Sequence, residues 1–556
     1  MKPERLFSAR PTQFSRATTL CAAMLCSTLS GHAQFAADNQ TNIINGTAVN
    51  WPTNYYVGSN HISDALFILN GGSLSNQWGY IGYRPGGVSN LAVVSGSGST
   101  WTNIGHLYVG YSGSANRLVI SDGGKAMAFG DTVAASQSGS ISNSILITGS
   151  GSVLTNWNSL YVGDGGAYCS LVVSNGGAVF CGNGGYVGGN FGGQSNIALV
   201  TGSGSVWQCD GNMTVGFRDG NMLIVSNGGA VLSTEGRLGY YGTARSNSVL
   251  ITGNGSRWEN TRTLYVGFGV QAGTDASNNR LTIADGGSVV ASNAYVGFTA
   301  ISSNSLLHVS GGNLTVTNLS ATGFLNVQRG ALTFDGGTIS VDQLWLTRGV
   351  NSILEFNSGT LHSKGTVISN TQPCIVGNGI ASGNFHLRGG VHSFQDGLRI
   401  RTNSFLSGCG TINGSVVAEA GGAVHADCTN LVFNSAITNY GSMVVDGTVL
   451  ETFDTFVNNG RLFLINGGTT NFHGTFINNG VILNGNVRLT LATDASSGFF
   501  IRYGGVPTVT YRLQRAASLF GPWSNIATNT APASGLLEYH ENTPPPGQSF
   551  YRTAQP

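Results

Sequence analysis

The chain has 556 residues, 84 of them glycine, with only 9% charged residues and a formal net charge of +1. That length exceeds one compact core, while an ordinary apolar fraction of 41% excludes a disordered low-complexity chain. The near-neutral balance argues against nucleic acid as a partner, since phosphate recognition needs a basic surface.

Residues 1–33 are predicted to be a secretory signal. Lys2, Arg5, Arg10 and Arg16 form a basic start, Ala17–Leu29 an apolar core, and Gly31-His32-Ala33 supplies small residues at a cleavage site. The apolar core is too short to span a bilayer as a mature helix. Cys21 and Cys26 each follow leucine, where a lipid anchor needs a small residue. Removal of the signal moves the net charge from +1 to −2 and places the mature chain outside the cell or on its surface. No later run of about twenty apolar residues occurs, so no integral membrane segment is expected. Residues 34–65 are polar and weakly patterned, and are read as an N-terminal cap, since a stacked fold must cover its exposed end.

From Leu66 to about Val316 one phrase returns. Gly-Ser-Gly-Ser-x-Trp ends in Trp101, Leu154, Trp207 and Trp258, at steps of 53, 53 and 51 residues. Within each unit the Tyr-Val-Gly phrase divides the repeat in two, ending at Gly82, Gly110, Ala134, Gly163, Gly188, Gly216, Gly242, Gly267 and Gly297. A fixed period means one supersecondary unit stacked many times. Each unit of roughly 27 residues holds short alternating apolar runs and Gly/Asn/Ser/Asp turns, with no sustained helical period. Such strands hide their apolar faces by coiling, each rung pairing with the next at about 4.8 Å.

Residues 317–490 keep the style with shorter rungs. Asn439-Tyr440-Gly441, Asn458-Asn459-Gly460 and Asn478-Asn479-Gly480 recur at 19 and 20 residues. The solenoid should then hold on the order of 16–20 rungs. Residues 491–556 break the pattern: strand-like runs, Leu519-Phe520, and a Pro-rich turn at 544–546 predict a small β-sandwich. The predicted fold class is all-β, a long right-handed parallel β-helix followed by a small C-terminal β-sandwich.

The phrase Gly-Ser-Gly-Ser-Thr-Trp, Leu-Tyr-Val-Gly and Leu-Val-Ile-Ser-Asp-Gly-Gly at 96–124 resembles the repeat of type V secretion (autotransporter) passengers and PEP-CTERM proteins. The match covers about 66–316. Residues 317–490 look like autotransporter-associated β-strand repeats. The tail, with Tyr511-x-Leu513-Gln514, Gly521-Pro522-Trp523 and Phe550-Tyr551-Arg552, resembles a Verrucomicrobia-type C-terminal domain of exported proteins. The resemblance implies an exported, adhesin-like surface solenoid. The chain departs from these families in lacking a C-terminal translocator barrel and a Pro-Glu-Pro sorting tail.

The recurring positions argue against chemistry in the repeats. Asp122 and Asp285 alternate with Asn70, Asn175 and Asn227 before Gly-Gly; both residue types tolerate a left-handed turn, and asparagine cannot act as a general base. Leu154 in the tryptophan place makes that column an apolar packing position. The tyrosine place holds Tyr80, Tyr108, Thr132, Tyr161, Tyr186, Thr214, Tyr240, Tyr265 and Tyr295. In Leu107-Tyr108-Val109 the tyrosine points away from two aliphatics, so the stripe faces outward. It is read either as a platform for surface or extracellular polysaccharide or as a structural ladder.

One dense titratable cluster occurs: His386, Arg388, His392, Asp396, Arg399 and Arg401. Parallel β-helix polysaccharide lyases and hydrolases use such groups, but fold alone grants no activity. No catalytic residue, metal site or cofactor is assigned, because the calcium nonapeptide, Ser-His-Asp and His-Glu-x-x-His signatures are absent. Cys181 and Cys209 share a register on neighbouring rungs, and Cys409 and Cys428 lie 19 apart; each pair is either a disulfide or a step in a core ladder. The sequence therefore points to an exported structural or adhesin-like solenoid without catalysis. A polysaccharide-binding protein and a glycan-cleaving enzyme are the alternatives.

Overall fold

A computed structural model describes residues 35–554 except 190–191, 271–274, 485–488, 494–498, 506–507, 519–520, 533–535 and 542–548. The signal segment, Leu519-Phe520 and the turn at 544–546 lie outside the described residues.

Three short strands make each coil. Leu91–Ser95, Thr100–Asn103 and Leu107–Val109 form one; Arg117–Ser121, Lys125–Ala128 and Thr132–Ala134 form the next. Corresponding strands pair in parallel, residue over residue, so Val93, Val119 and Leu146 stand in one column. Alternation along each strand buries every second side chain, as Leu118 and Ile120 illustrate, and these residues merge into one continuous core. The described residues contain no α-helix.

The turn between the first two strands explains why the repeat is two coils long. Asn70, Asp122, Asn175, Asn227 and Asp285 all adopt φ between 50° and 54°, the left-handed conformation their residue types tolerate. In the alternate coils Gly-Ser-Gly-Ser, or Gly-Asn-Gly-Ser at 253–256, takes this turn, and its last serine reaches back. Ser152 Oγ accepts the Gly123 N–H at 3.0 Å while donating to its own Thr148 carbonyl. Ser99, Ser205 and Ser256 do the same for Gly71, Gly176 and Gly228. On the other side Ser95 donates to Asp122, and Asn175 to Thr148. Unlike turns are thus complementary.

The predicted cap is itself a coil. Thr41–Asn45, Ala48–Asn50 and Tyr55–Val57 pair in register with Ala65–Leu69, Ser73–Asn76 and Gly79–Ile81. The solenoid continues without a break past 317. Turns flatten so that Gly330–Leu346 and Ser352–Ile368 run as 17-residue strands. It closes at Val481–Asn484, which pairs with Arg461–Ile465.

Beyond it lie two antiparallel sheets, one of Leu489–Thr493, Phe499–Gly504 and Leu536–Glu541, the other of Thr510–Ala516, Ser524–Thr530 and Phe550–Ala554. Ile501, Tyr503 and Leu537 of the first pack with Tyr511 and Leu513 of the second, which makes a small sandwich. Val509 also packs against Val444, Phe463 and Ile465 of the solenoid.

Candidate functional site

The side chains singled out in the sequence fall into separate columns. The tryptophan column is interior: Trp101, Leu154, Trp207 and Trp258 are fully buried. A second interior column was not read from the sequence. Asn90, Asn116, Asn143, Asn196, Asn221, Asn247 and Asn279 are all buried ahead of the first strand. Each side-chain oxygen accepts from the coil before it: Asn116 Oδ1 takes the Asn90 N–H at 2.9 Å and its Nδ2 at 3.0 Å. This satisfies backbone donors that the coil's corner would otherwise bury unpaired.

The tyrosine column points away from the core, between buried neighbours on each strand, and its rings stack on one another. Tyr80 lies between Tyr56 and Tyr108 with centroids 5.0 and 5.2 Å away and planes within 13°. Tyr161 and Tyr186 stack at 4.6 Å, Tyr265 and Tyr295 at 5.4 Å. Burial raises the phenols of Tyr80, Tyr161 and Tyr108, the last to about 12. Neighbouring rings take up one another's faces, which is how a ladder holds register, and ring edges are what remain for a ligand.

The register corrects two members of this column. Val133, not Thr132, pairs with Tyr108 and Tyr161, and Arg237, not Tyr240, pairs with Thr214 and Tyr265. Tyr240 stands just past Gly239 in a second aromatic line. Phe217, Tyr240, Phe268 and Phe298 follow one another at 4.7, 5.5 and 5.6 Å. The Arg237 guanidinium sits 5.5 Å from the Tyr240 ring and 5.2 Å from that of Phe268, so a cation in the tyrosine column lies against the second line.

The titratable cluster separates in space. His392 is fully buried, its Nε2 donating to the Gly389 carbonyl at 2.9 Å and its Nδ1 3.0 Å from Thr366 Oγ1. Burial pushes its pKa down to about 4, so it is a neutral core residue. Asp396 is exposed, and Arg399 lies 3.7 Å from Glu419 on a different strand column from His386.

What the register assembles instead is His362, His386, Ser407 and His425 in one outward column. His386 Nδ1 meets Ser407 Oγ at 2.9 Å, and that hydroxyl donates to Asn384 Oδ1 at 2.9 Å. Its proton is engaged by an amide, which is not the arrangement of a base-activated nucleophile. His362 packs edge-on against His386 at 5.1 Å, and burial lowers both, His362 to about 4. His425 lies 3.7 Å from Asp446 and 3.9 Å from Asp427. Among the described residues no group of three His, Cys, Asp or Glu side chains is placed to hold a metal ion. The column continues into Val444 and Phe463, the patch that Val509 meets.

The cysteine pairs divide. Cys409 and Cys428 form a disulfide, with Cα atoms 5.5 Å apart. Cys181 and Cys209 do pair in register, but as free buried thiols, so this pair is a step in the core ladder. Burial and the neighbouring Cys181 thiol push the Cys209 thiol up.

No protein-family model and no curated protein matches the chain. No helix among the described residues is long and apolar enough to cross a membrane.

Proposed function

We propose that the protein is an exported structural or adhesin-like solenoid that extends from, or coats, the cell surface and does no catalysis. The observation that carries this reading is the repetition of the same joining chemistry in coil after coil. The asparagine column, the serine-to-glycine bonds and the alternating turns all serve stacking, and stacking builds length and surface rather than a single reaction centre. Fractionation of the native host with surface proteolysis tests it. Protection of the chain inside intact cells would sink the proposal.

The half-exposed aromatic lines favour a second reading, in which the surface contacts polysaccharide. Aromatic rings joined to hydroxyl and amide groups are the combination that binds ligands with both apolar and polar faces. Retention of the purified chain on polysaccharide, without release of product, supports it; released oligosaccharide would make the protein an enzyme.

A further inference from the structure

Away from the tyrosines, three successive coils form a small grid on the outside of the second strand and the corner after it. The strand places are Thr155, Phe180 and Gln208, in register. The corner places are Trp157, Gly182 and Asp210, whose N–H groups each bond the carbonyl of the coil before. The middle corner therefore has no side chain, and a notch of about 350 Å³ opens there.

Trp157 is 63% exposed, in contrast to the three tryptophans of the core column. On one side its ring meets Phe129, with centroids 5.1 Å apart. Toward the next coil Gly182 leaves it uncovered, and Phe180 forms the adjoining wall. Two coil spacings of about 4.8 Å put the Asp210 corner roughly 10 Å from that of Trp157. A second notch, of about 330 Å³, shares Gln208 and Asp210 and carries the groove on to Glu259 and Thr261.

An aromatic surface at one end and carboxylate and amide groups at the other match a ring with an apolar C–H face and a rim of hydroxyls. An apolar peptide side chain would cover Trp157 but bury Gln208 and Asp210 without partners. An acidic glycan would meet the exposed Asp210 with like charge, whereas Glu259 is already paired with Arg257 at 2.8 Å. The groove also runs from coil to coil, so its natural occupant is a polymer lying along the solenoid.

We infer that this groove binds a neutral pyranose polysaccharide, with Trp157 as stacking platform and Gln208 and Asp210 as hydroxyl partners. The inference rests on the polysaccharide reading above and assigns it a place different from the tyrosine stripe.

The test is affinity electrophoresis of the full chain through gels containing hydroxyethylcellulose, glucomannan or alginate. The expected result is retardation by a neutral glycan, weakened at least tenfold by Trp157→Ala and by Gln208→Ala with Asp210→Ala, partly restored by Trp157→Phe, and weakened less by Tyr80→Ala with Tyr108→Ala than by Trp157→Ala. Circular dichroism of each variant checks folding. Retardation that survives Trp157→Ala, or falls only in the tyrosine variant, overturns the groove while leaving the polysaccharide reading in place. Retardation by alginate alone overturns the neutral ligand. No retardation in either neutral gel overturns the inference altogether.

Discussion

The indole N–H of Trp101 donates to Asn76 Oδ1 at 2.7 Å, tying the largest side chain of one coil to a buried amide of the coil before it. Trp258 makes the same reach to Ser233 Oγ at 3.2 Å. At Trp207 the equivalent place in the preceding coil is Cys181, a weak acceptor. Trp101→Ala is expected to destabilise by roughly 3–5 kcal/mol, the usual cost of emptying a buried aromatic site. Trp101→Leu should cost less, because Leu154 fills the same column. Urea unfolding followed by circular dichroism compares the two.

The asparagine column predicts a polar cost of similar size. Asn116→Ala removes the acceptor for two Asn90 donors and the donor to the Gly87 carbonyl. Orphaned buried groups cost about 1–3 kcal/mol each, so a loss of a few kcal/mol is expected. Hydrogen exchange should quicken first at the Asn90 amide. Exchange that stays slow there would show that another acceptor takes over.

Acid should weaken the later coils through His392. Its pKa is about 4 when folded, because burial disfavours the imidazolium, against an ordinary value near 6.5. The unfolded chain binds the proton first, so this contribution is complete above pH 6.5 and is lost as pH falls toward 4. The loss is roughly 3 kcal/mol over that window. His392→Asn should flatten the fall in urea midpoint between neutral pH and pH 4.5. An unchanged slope would assign the acid sensitivity elsewhere.

Thiol chemistry separates the two cysteine pairs. Cys169, Cys181, Cys209 and Cys374 are buried, and burial raises Cys169 to about 11 and Cys374 to about 12. In the chain from residue 34 onward, none should react with a maleimide at neutral pH, and four should react after unreduced denaturation. Reducing Cys409–Cys428 should cost roughly 3 kcal/mol, from the loop it closes. Six reactive thiols without reductant would contradict the disulfide.

The coil was legible in the sequence because turn chemistry is strict: only residues that accept a left-handed backbone recur before Gly-Gly. The Ser-Asn pairs at 89–90, 142–143, 195–196 and 246–247 mark the asparagine column just as plainly. The misplaced Tyr240 has a local cause. Tyr240-Tyr241-Gly242 imitates the repeat phrase, whereas the strand is Glu235–Leu238 and the turn glycine is Gly239. The histidine column was out of reach for another reason. Its members are 24, 21 and 18 residues apart, so the period shrinks as it is counted. Trp157 and Gly182 gave no recurring signal, since a groove is made by a departure from the repeat.

The alternation of turns also sets how such a chain can change in size. A coil with Gly-Ser-Gly-Ser fits onto one with Asp- or Asn-Gly-Gly, and the reverse joint has its own bonds. Losing one coil would bring two like turns together and strand both sets of donors. Losing or duplicating two would leave every joint as before. Gene segments encoding coil pairs are therefore the natural units of insertion and deletion, and homologous chains should differ in reach by multiples of about 10 Å.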